Sequence, residues 1–314
     1  MTLASLSTLS NLSKDRLRRY ATFASASVAF ILIIAKLIAY LLTGSVAMLS
    51  SLLDSTVDLV ASLVTVYGVA SALRPPDHNH RFGHGKAEPL AALTQAAFIV
   101  GSSVLLIYQA LSYFYHPHDI EHEDIGYGVM MGAIVLTMLL VGFQRYVVHK
   151  TQSMAIGADR LHYVGDLLIN IAVIGTFVIY KWTGIRAVDP LFAILISCVL
   201  FYNASQIVRD ALHVLMDREL PVEDRTKIMD LVRAHPDVRG VHDMRTRSDS
   251  ERIFVEMHVE IDGDLKVRAA HKIIDELMKV VRRDYPHADV MIHQDPEGLE
   301  EERLDHRIGN NSHA

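Results

Sequence analysis

Ser51-Leu52-Leu53-Asp54-Ser55-Thr56-Val57-Asp58-Leu59-Val60 sets two acids four residues apart inside an otherwise apolar run, residues 46–73. As a helix, a run of that length crosses a hydrocarbon core of about 30 Å. The four-residue spacing then puts Asp54 and Asp58 on one face, one turn apart. A carboxylate at the bilayer centre costs about 2.5–3.5 kcal/mol on insertion scales, so two on one stripe call for a cation or water beside them. Two anions on one face of a buried helix invite a metal ion.

A second stretch answers the first. Asp159-Arg160-Leu161-His162-Tyr163-Val164-Gly165-Asp166 opens another apolar run, residues 155–180, and His162 and Asp166 repeat the four-residue spacing. If the two faces meet, they present three carboxylates and one imidazole, the donor count of a tetrahedral Zn²⁺ site. Either pair alone also fits a polar helix end at the water interface or an interhelical hydrogen bond. Both pairs together favour the metal reading, because ionisable groups inside a membrane are by default functional candidates.

Four further apolar runs, residues 21–42, 90–115, 125–148 and 188–208, bring the spanning count to six. They account for 51% hydrophobic residues and a mean hydropathy of +0.24 in a 314-residue chain that is also 21% charged. The organisation expected is a cytoplasmic segment 1–19, a six-helix transmembrane domain 20–214, a cytoplasmic metal-binding domain 215–296 and a disordered tail 297–314. Lys14, Arg16, Arg18 and Arg19 precede the first run, and the loops 74–86 and 145–150 are basic, so these face the cytoplasm. The acidic loop 116–124 faces outward, and the 181–186 loop is the one mismatch. Both termini are then cytoplasmic. Residues 1–13 are polar and the first apolar run is too long for a cleavable leader.

One cysteine, Cys198, forms neither an internal disulfide nor a thiolate cluster, which leaves His, Asp and Glu as metal ligands. A net charge of −6, with no basic stripe interleaved with aromatics in the soluble part, speaks against nucleic acid as a partner. Lys36 lies deep in the first run and is read as snorkelling or bonded to a neighbouring helix, outside the site. Gly68, Ala91, Ala92 and Ala96 in the second and third runs allow close helix approach.

The loop between those runs reads Arg74-Pro75-Pro76-Asp77-His78-Asn79-His80-Arg81-Phe82-Gly83-His84-Gly85-Lys86-Ala87-Glu88. The prolines end the helix and the glycines let the backbone turn. Asp77, His80 and His84 can close on one metal with His78 a spare candidate, though a hydrated interfacial loop has the same composition. Beyond residue 221 the pattern is that of a small α+β domain: helix 223–234, strands 241–247 and 253–261, an amphipathic helix 267–281 and a strand 289–293. The order αββαβ gives a sandwich with helices on one face. His242, His258 and His293 lie on strands, His271 on the second helix, and Asp295 just past the last strand. Four histidines and a carboxylate suit one or two Zn²⁺ ions, although any one of them alone reads as a surface or satisfied core histidine.

Taken together, Leu53–Asp58, His80–Glu88, Asp159–Asp166 and Val290-Met291-Ile292-His293-Gln294-Asp295-Pro296 make the chain resemble the cation diffusion facilitator family, in particular its bacterial zinc and ferrous-iron efflux members, over residues 15–296. The resemblance implies a homodimer in the bacterial inner membrane, with six spans per subunit and a cytoplasmic domain of metallochaperone-like fold. It implies a transport site of Asp54, Asp58, His162 and Asp166, a loop site of Asp77, His80 and His84, and a binuclear cytoplasmic site of His242, His258, His271, His293 and Asp295. It further implies a Lys86–Asp217 charge pair between the membrane and cytoplasmic parts. The family's activity is exchange of a divalent cation for protons, which makes the chain a secondary transporter and not an enzyme.

The residues themselves point the same way. An imidazole with an ordinary pKa of about 6.5 must be neutral to ligate, so metal and proton compete for His162. A metal-gated channel or a membrane-tethered metal sensor is the rival class, and a sensor does not need paired acids within the membrane. A hydrolase using metal-activated water fits poorly, since four protein ligands leave no open position. The donor set suits Zn²⁺ and Cd²⁺ and is also accepted by Fe²⁺, Co²⁺ and Mn²⁺.

Overall fold

A computed structural model describes residues 3–44, 46–115, 124–183, 187–299 and 303–305. The chain forms two compact units, Met1–Leu212 and His213–Ala314. The acidic 116–124 loop lies outside the described residues except for Asp124, as do residues 184–186 of the 181–186 loop.

Six long helices build the first unit: α1 (Leu3–Thr43), α2 (Val46–Ala72), α3 (Ala87–Tyr115), α4 (Asp124–Thr151), α5 (Met154–Thr183) and α6 (Val188–Leu215). Among the described residues five of them, all but α5, are long and apolar enough to cross a membrane. The sixth expected span falls on α5, a 30-residue helix whose side chains are described in part. α1 packs on α2 and α4, α2 on α3, and α5 on α3 and α4. The burial pattern inverts that of a water-soluble protein. Leu41, Leu42, Tyr67, Leu139 and Tyr202 are exposed, while Ser25, Ser62, Thr65, Gln95, Gln144 and Asp159 are buried. A hydrocarbon solvent produces this pattern, since polar groups must find partners inside the bundle. At Gly68 a Cβ would lie 2.3 Å from the Ala91 Cβ, so only glycine permits the observed approach of α2 to α3.

The second unit comprises α7 (Val222–Arg233), β1 (Gly240–Ser248), β2 (Ile253–Ile261), α8 (Val267–Asp284) and β3 (Ala288–Pro296). The sheet order is β1-β2-β3, with β1 antiparallel and β3 parallel to β2. The two helices bury Ile228, Val232, Ala270, Ile273, Ile274, Leu277 and Val281 against Val255, Met257, Val259 and Ile261 of β2 and Ala288 and Val290 of β3. Alternation along each strand sends the intervening residues, including His258, His293 and Asp295, to the opposite face. Leu277 is fully buried at the centre of the core. Leu277→Ala is expected to destabilise this unit by about 2–5 kcal/mol, seen as faster amide exchange along β2 in the full-length protein.

A bulge interrupts the β1–β2 register between His242 and Arg245, where Asp243 adopts φ 51°. Residues 303–305, within the segment 297–314 expected to be disordered, lie against this bulge. The backbone N–H groups of Leu304 and Asp305 each donate to the Asp243 carboxylate at 2.9 Å, and the Asp243 N–H donates to Asp305 Oδ2 at 2.9 Å. Burial works against the Asp243 carboxylate, but the tail's N–H groups outweigh it and hold its carboxyl below the usual range. Arg303 Nη2 adds an ion pair to Glu260 Oε1 at 2.5 Å.

Candidate metal centres

α2 and α5 meet with their acidic faces together. Asp58 Oδ1 lies 2.9 Å from His162 Nε2, bridging 104 residues of sequence, and Asp166 Oδ2 lies 3.7 Å from the same nitrogen. Asp58, His162 and Asp166 offer donor atoms within 4.8 Å of one another. His162 is 6% exposed and Asp58 18%, so the group is shielded without being sealed. Asp54 does not join it within that distance: it stands one turn back along α2 and is exposed. Lys36 reaches across from α1 to the same turn of α2, where its Nζ donates to Ser55 Oγ at 2.6 Å and to the Ser51 carbonyl at 3.2 Å. It is bonded to a neighbouring helix, one of the two roles the sequence allowed it.

One turn from the triad, a buried polar network ties α1 through α5 together. Asp159 accepts hydrogen bonds from Ser25 Oγ, Gln144 Nε2 and Gln95 Nε2 at 2.6, 2.7 and 3.1 Å. The Ser62 and Tyr163 hydroxyls are 2.8 Å apart, and Ser62 is 3.0 Å from Ser25. The sequence reading assigned these residues no part. Their signal was the lone glutamines, Gln95 and Gln144, each inside an apolar run where an unpartnered amide is costly.

The loop before α3 gathers Asp77, His80 and His84 within 4.8 Å. Asp77 Oδ2 is 3.3 Å from His84 Nε2, Asp77 Oδ1 is 3.4 Å from His80 Nδ1, and the two imidazoles lie tilted to each other with 4.6 Å between centroids. Gly83, at φ 84°, supplies the left-handed turn that lets His84 come back towards Asp77. The backbone N–H groups of His80 and Asn79 donate to Asp77, and this holds its carboxyl below the ordinary range and keeps it anionic. His78 is exposed and outside the group.

On the face of the three-stranded sheet opposite α7 and α8, His242, His258 and His293 are direct cross-strand neighbours, and Asp295 sits two residues beyond His293. Asp295, 4% exposed, stands among all three: 2.9 Å from His258 Nδ1, 3.2 Å from His293 Nε2 and 3.5 Å from His242 Nε2. His242, His258 and Asp295 bring donor atoms within 4.8 Å of one another, and the His293 ring lies tilted against His258 with 4.7 Å between centroids. His242 turns its Nε2 towards Asp295, while its buried Nδ1 lies 3.9 Å from Asp243 Oδ2 and has no hydrogen-bond partner among the described residues. These residues fit Zn²⁺. Glu260, which the sequence reading left out, lies 3.7 Å from His242. His271 does not join them: it is exposed on α8, which covers the other face of the sheet. Asp217 lies 3.5 Å from Arg247 within its own unit.

The profile of the cation efflux transmembrane domain matches residues 22–216, and that of the cytoplasmic domain of cation efflux proteins matches residues 211–297. The chain therefore belongs to the cation efflux family of membrane transporters, the family its motifs resemble. It is 42% identical over 281 residues to the cation-efflux pump FieF of Pectobacterium atrosepticum, covering 90% of this chain and 93% of that protein. It is 40% identical over 286 residues to FieF of Escherichia fergusonii, covering 91% and 95%. Among solved structures, the metal-bound C-terminal domain of the CzcD transporter from Thermotoga maritima is 27% identical over 26% of this chain and 94% of its own, with a TM-score of 0.25.

Proposed function

We propose that the chain exports divalent transition-metal cations from the cytoplasm in exchange for protons, with Zn²⁺ the first candidate and Cd²⁺ and Fe²⁺ the next. The observation that carries this reading is the 2.9 Å contact between His162 Nε2 and Asp58 Oδ1 inside the helical unit. A nitrogen and a carboxylate oxygen at that separation share a proton. The dication must displace that proton to reach the same nitrogen, so one atom serves both ions. Asp166 and, one turn away, Asp54 complete the donor set, and alternating access carries the loaded site from one side of the membrane to the other. Both termini face the cytoplasm of a bacterial inner-membrane protein. Two copies pair as a homodimer, and the relatives at 42% and 40% identity carry the name cation-efflux pump.

The loop triad at Asp77, His80 and His84 is a second candidate metal site. In the cytoplasmic unit His242, His258, His293 and Asp295 would hold Zn²⁺ resident, joining three strands through one ion. His271, on the far face, would need a different neighbour to take part.

The rival reading is a metal-gated channel, and counterflow separates the two. In proteoliposomes holding the full-length protein, an imposed pH gradient is expected to drive zinc uptake; uptake indifferent to the gradient would favour the channel. His162→Asp is expected to retain zinc uptake while shifting its pH dependence or metal preference, since a carboxylate ligates without the imidazole's titration near neutrality. An unchanged pH profile and unchanged preference would remove His162 from the coupling.

A further inference from the structure

We propose that Asp159 is a positioning residue for the transport site, setting the rotation of α5 so that His162 and Asp166 face Asp58. The proposal rests on the exchange reading above and deepens it. Asp159 is 1% exposed, and its partners Ser25, Gln95 and Gln144 are all fully buried. Three donors from three different helices, α1, α3 and α4, converge on its two oxygens. A carboxylate that accepts three hydrogen bonds from fixed directions holds its helix against both rotation and sliding. Asp159 and Asp166 are a heptad apart and so lie within about 20° of each other around α5. His162 is three residues on, one turn along the helix and close to the same stripe.

The partner helix is fixed by the same network. Ser62 follows Asp58 by one turn on α2, and its hydroxyl is shared with Tyr163 and Ser25 at 2.8 and 3.0 Å. The two N–H groups of Gln95 Nε2 are shared among Asp159 Oδ1 at 3.1 Å and, on α2, Thr65 Oγ1 and the Ala61 carbonyl, both at 2.8 Å. A single seam therefore runs from the ligands down α2 and α5, and Asp159 is where the other helices grip it. A purely apolar core would stabilise the bundle equally well, and burying a carboxylate to do so is expensive. What the carboxylate adds is direction: its bonds define one angular setting, and the Asp58–His162 contact exists only near that setting.

The test compares zinc transport against zinc concentration, at a fixed pH gradient, for full-length wild type, Asp159→Asn and the double variant Asp159→Asn with Gln144→Glu. Asparagine turns an amide towards amide and hydroxyl donors, whereas the double variant reverses one donor–acceptor pair and keeps the net charge. Removing a group that orients metal ligands weakens a site by about 10- to 100-fold. The expected result is a KM raised about tenfold or more in Asp159→Asn and returned most of the way to wild type in the double variant. A loss confined to the maximal rate, with KM unchanged, would assign Asp159 to stability alone and overturn the proposal, as would a double variant no better than the single one. If Asp159→Asn does not accumulate folded, Ser25→Ala and Gln144→Ala, which each remove one donor and leave the carboxylate, decide the matter: a raised KM supports the proposal and an unchanged KM overturns it. Failure of the exchange reading appears elsewhere, as wild-type uptake indifferent to the gradient, and the KM comparison still reports on Asp159.

Discussion

Replacing Asp58 with alanine is expected to abolish metal transport at micromolar zinc while leaving the protein folded in the membrane. Asp58 supplies the donor nearest His162, and its loss leaves that imidazole with Asp166 at 3.7 Å. Loss of a group that only orients a metal ligand costs about 10- to 100-fold in affinity, so loss of a direct donor is expected to cost about 100-fold or more. The bundle itself is held by other contacts, such as the small-residue packing of α2 on α3 at Gly68 and Ala91. The check is radiotracer or dye-reported zinc uptake by reconstituted Asp58→Ala, with circular dichroism to confirm the helices. Uptake equal to wild type would mean that the cation takes another route.

The second large effect is expected in the cytoplasmic unit, where Asp295 is the centre of the histidine row. A ligand that binds only the folded state stabilises it by about 2.7 kcal/mol at a hundredfold excess over its Kd. Zinc added to the full-length protein should therefore slow amide exchange along β1, β2 and β3. Asp295→Ala removes the carboxylate within 3.5 Å of His242, His258 and His293 and is expected to erase that zinc-dependent protection. Zinc protection of the strands that survives in the variant would place the ion elsewhere.

Much of this architecture was legible because a bilayer and a half-buried sheet both impose simple periods. Apolar runs of twenty residues or more mark the long helices, and strict alternation marks β2 from Val255 to Ile261. The facing of α2 and α5 was suggested by two i,i+4 pairs, yet spacing fixes a face and not a neighbour; only the packed helices bring Asp58 to His162. Asp54 illustrates the limit. It shares the face of Asp58, but one turn of rise carries it away from α5 in this arrangement. His271 stands apart from the histidine row of its own sheet for a reason the sequence also carries. The apolar stripe of α8, Ala270, Ile273, Ile274, Leu277 and Val281, binds the sheet face carrying Val255, Met257 and Val259, while His258 alternates to the other side. A residue on α8 therefore cannot reach the histidine row of its own sheet.

The Asp159 network was harder to see, because single polar residues in apolar runs carry no period. Ser25, Gln95 and Gln144 become meaningful only when four helices converge on one carboxylate. The docking of Leu304 and Asp305 on Asp243 was hidden for a related reason: it depends on a bulge whose positive φ at Asp243 leaves no mark on the strand's alternation.

The central claim is that Asp58, His162 and Asp166 enclose the transported cation, and the most direct measurement is anomalous diffraction at the zinc edge from crystals of the full-length protein grown with Zn²⁺. The account predicts an anomalous peak between Asp58 and His162, within bonding distance of Nε2 at about 2.0–2.1 Å. Peaks at the loop and on the cytoplasmic sheet with none between α2 and α5, in crystals of protein shown to transport zinc, would contradict it.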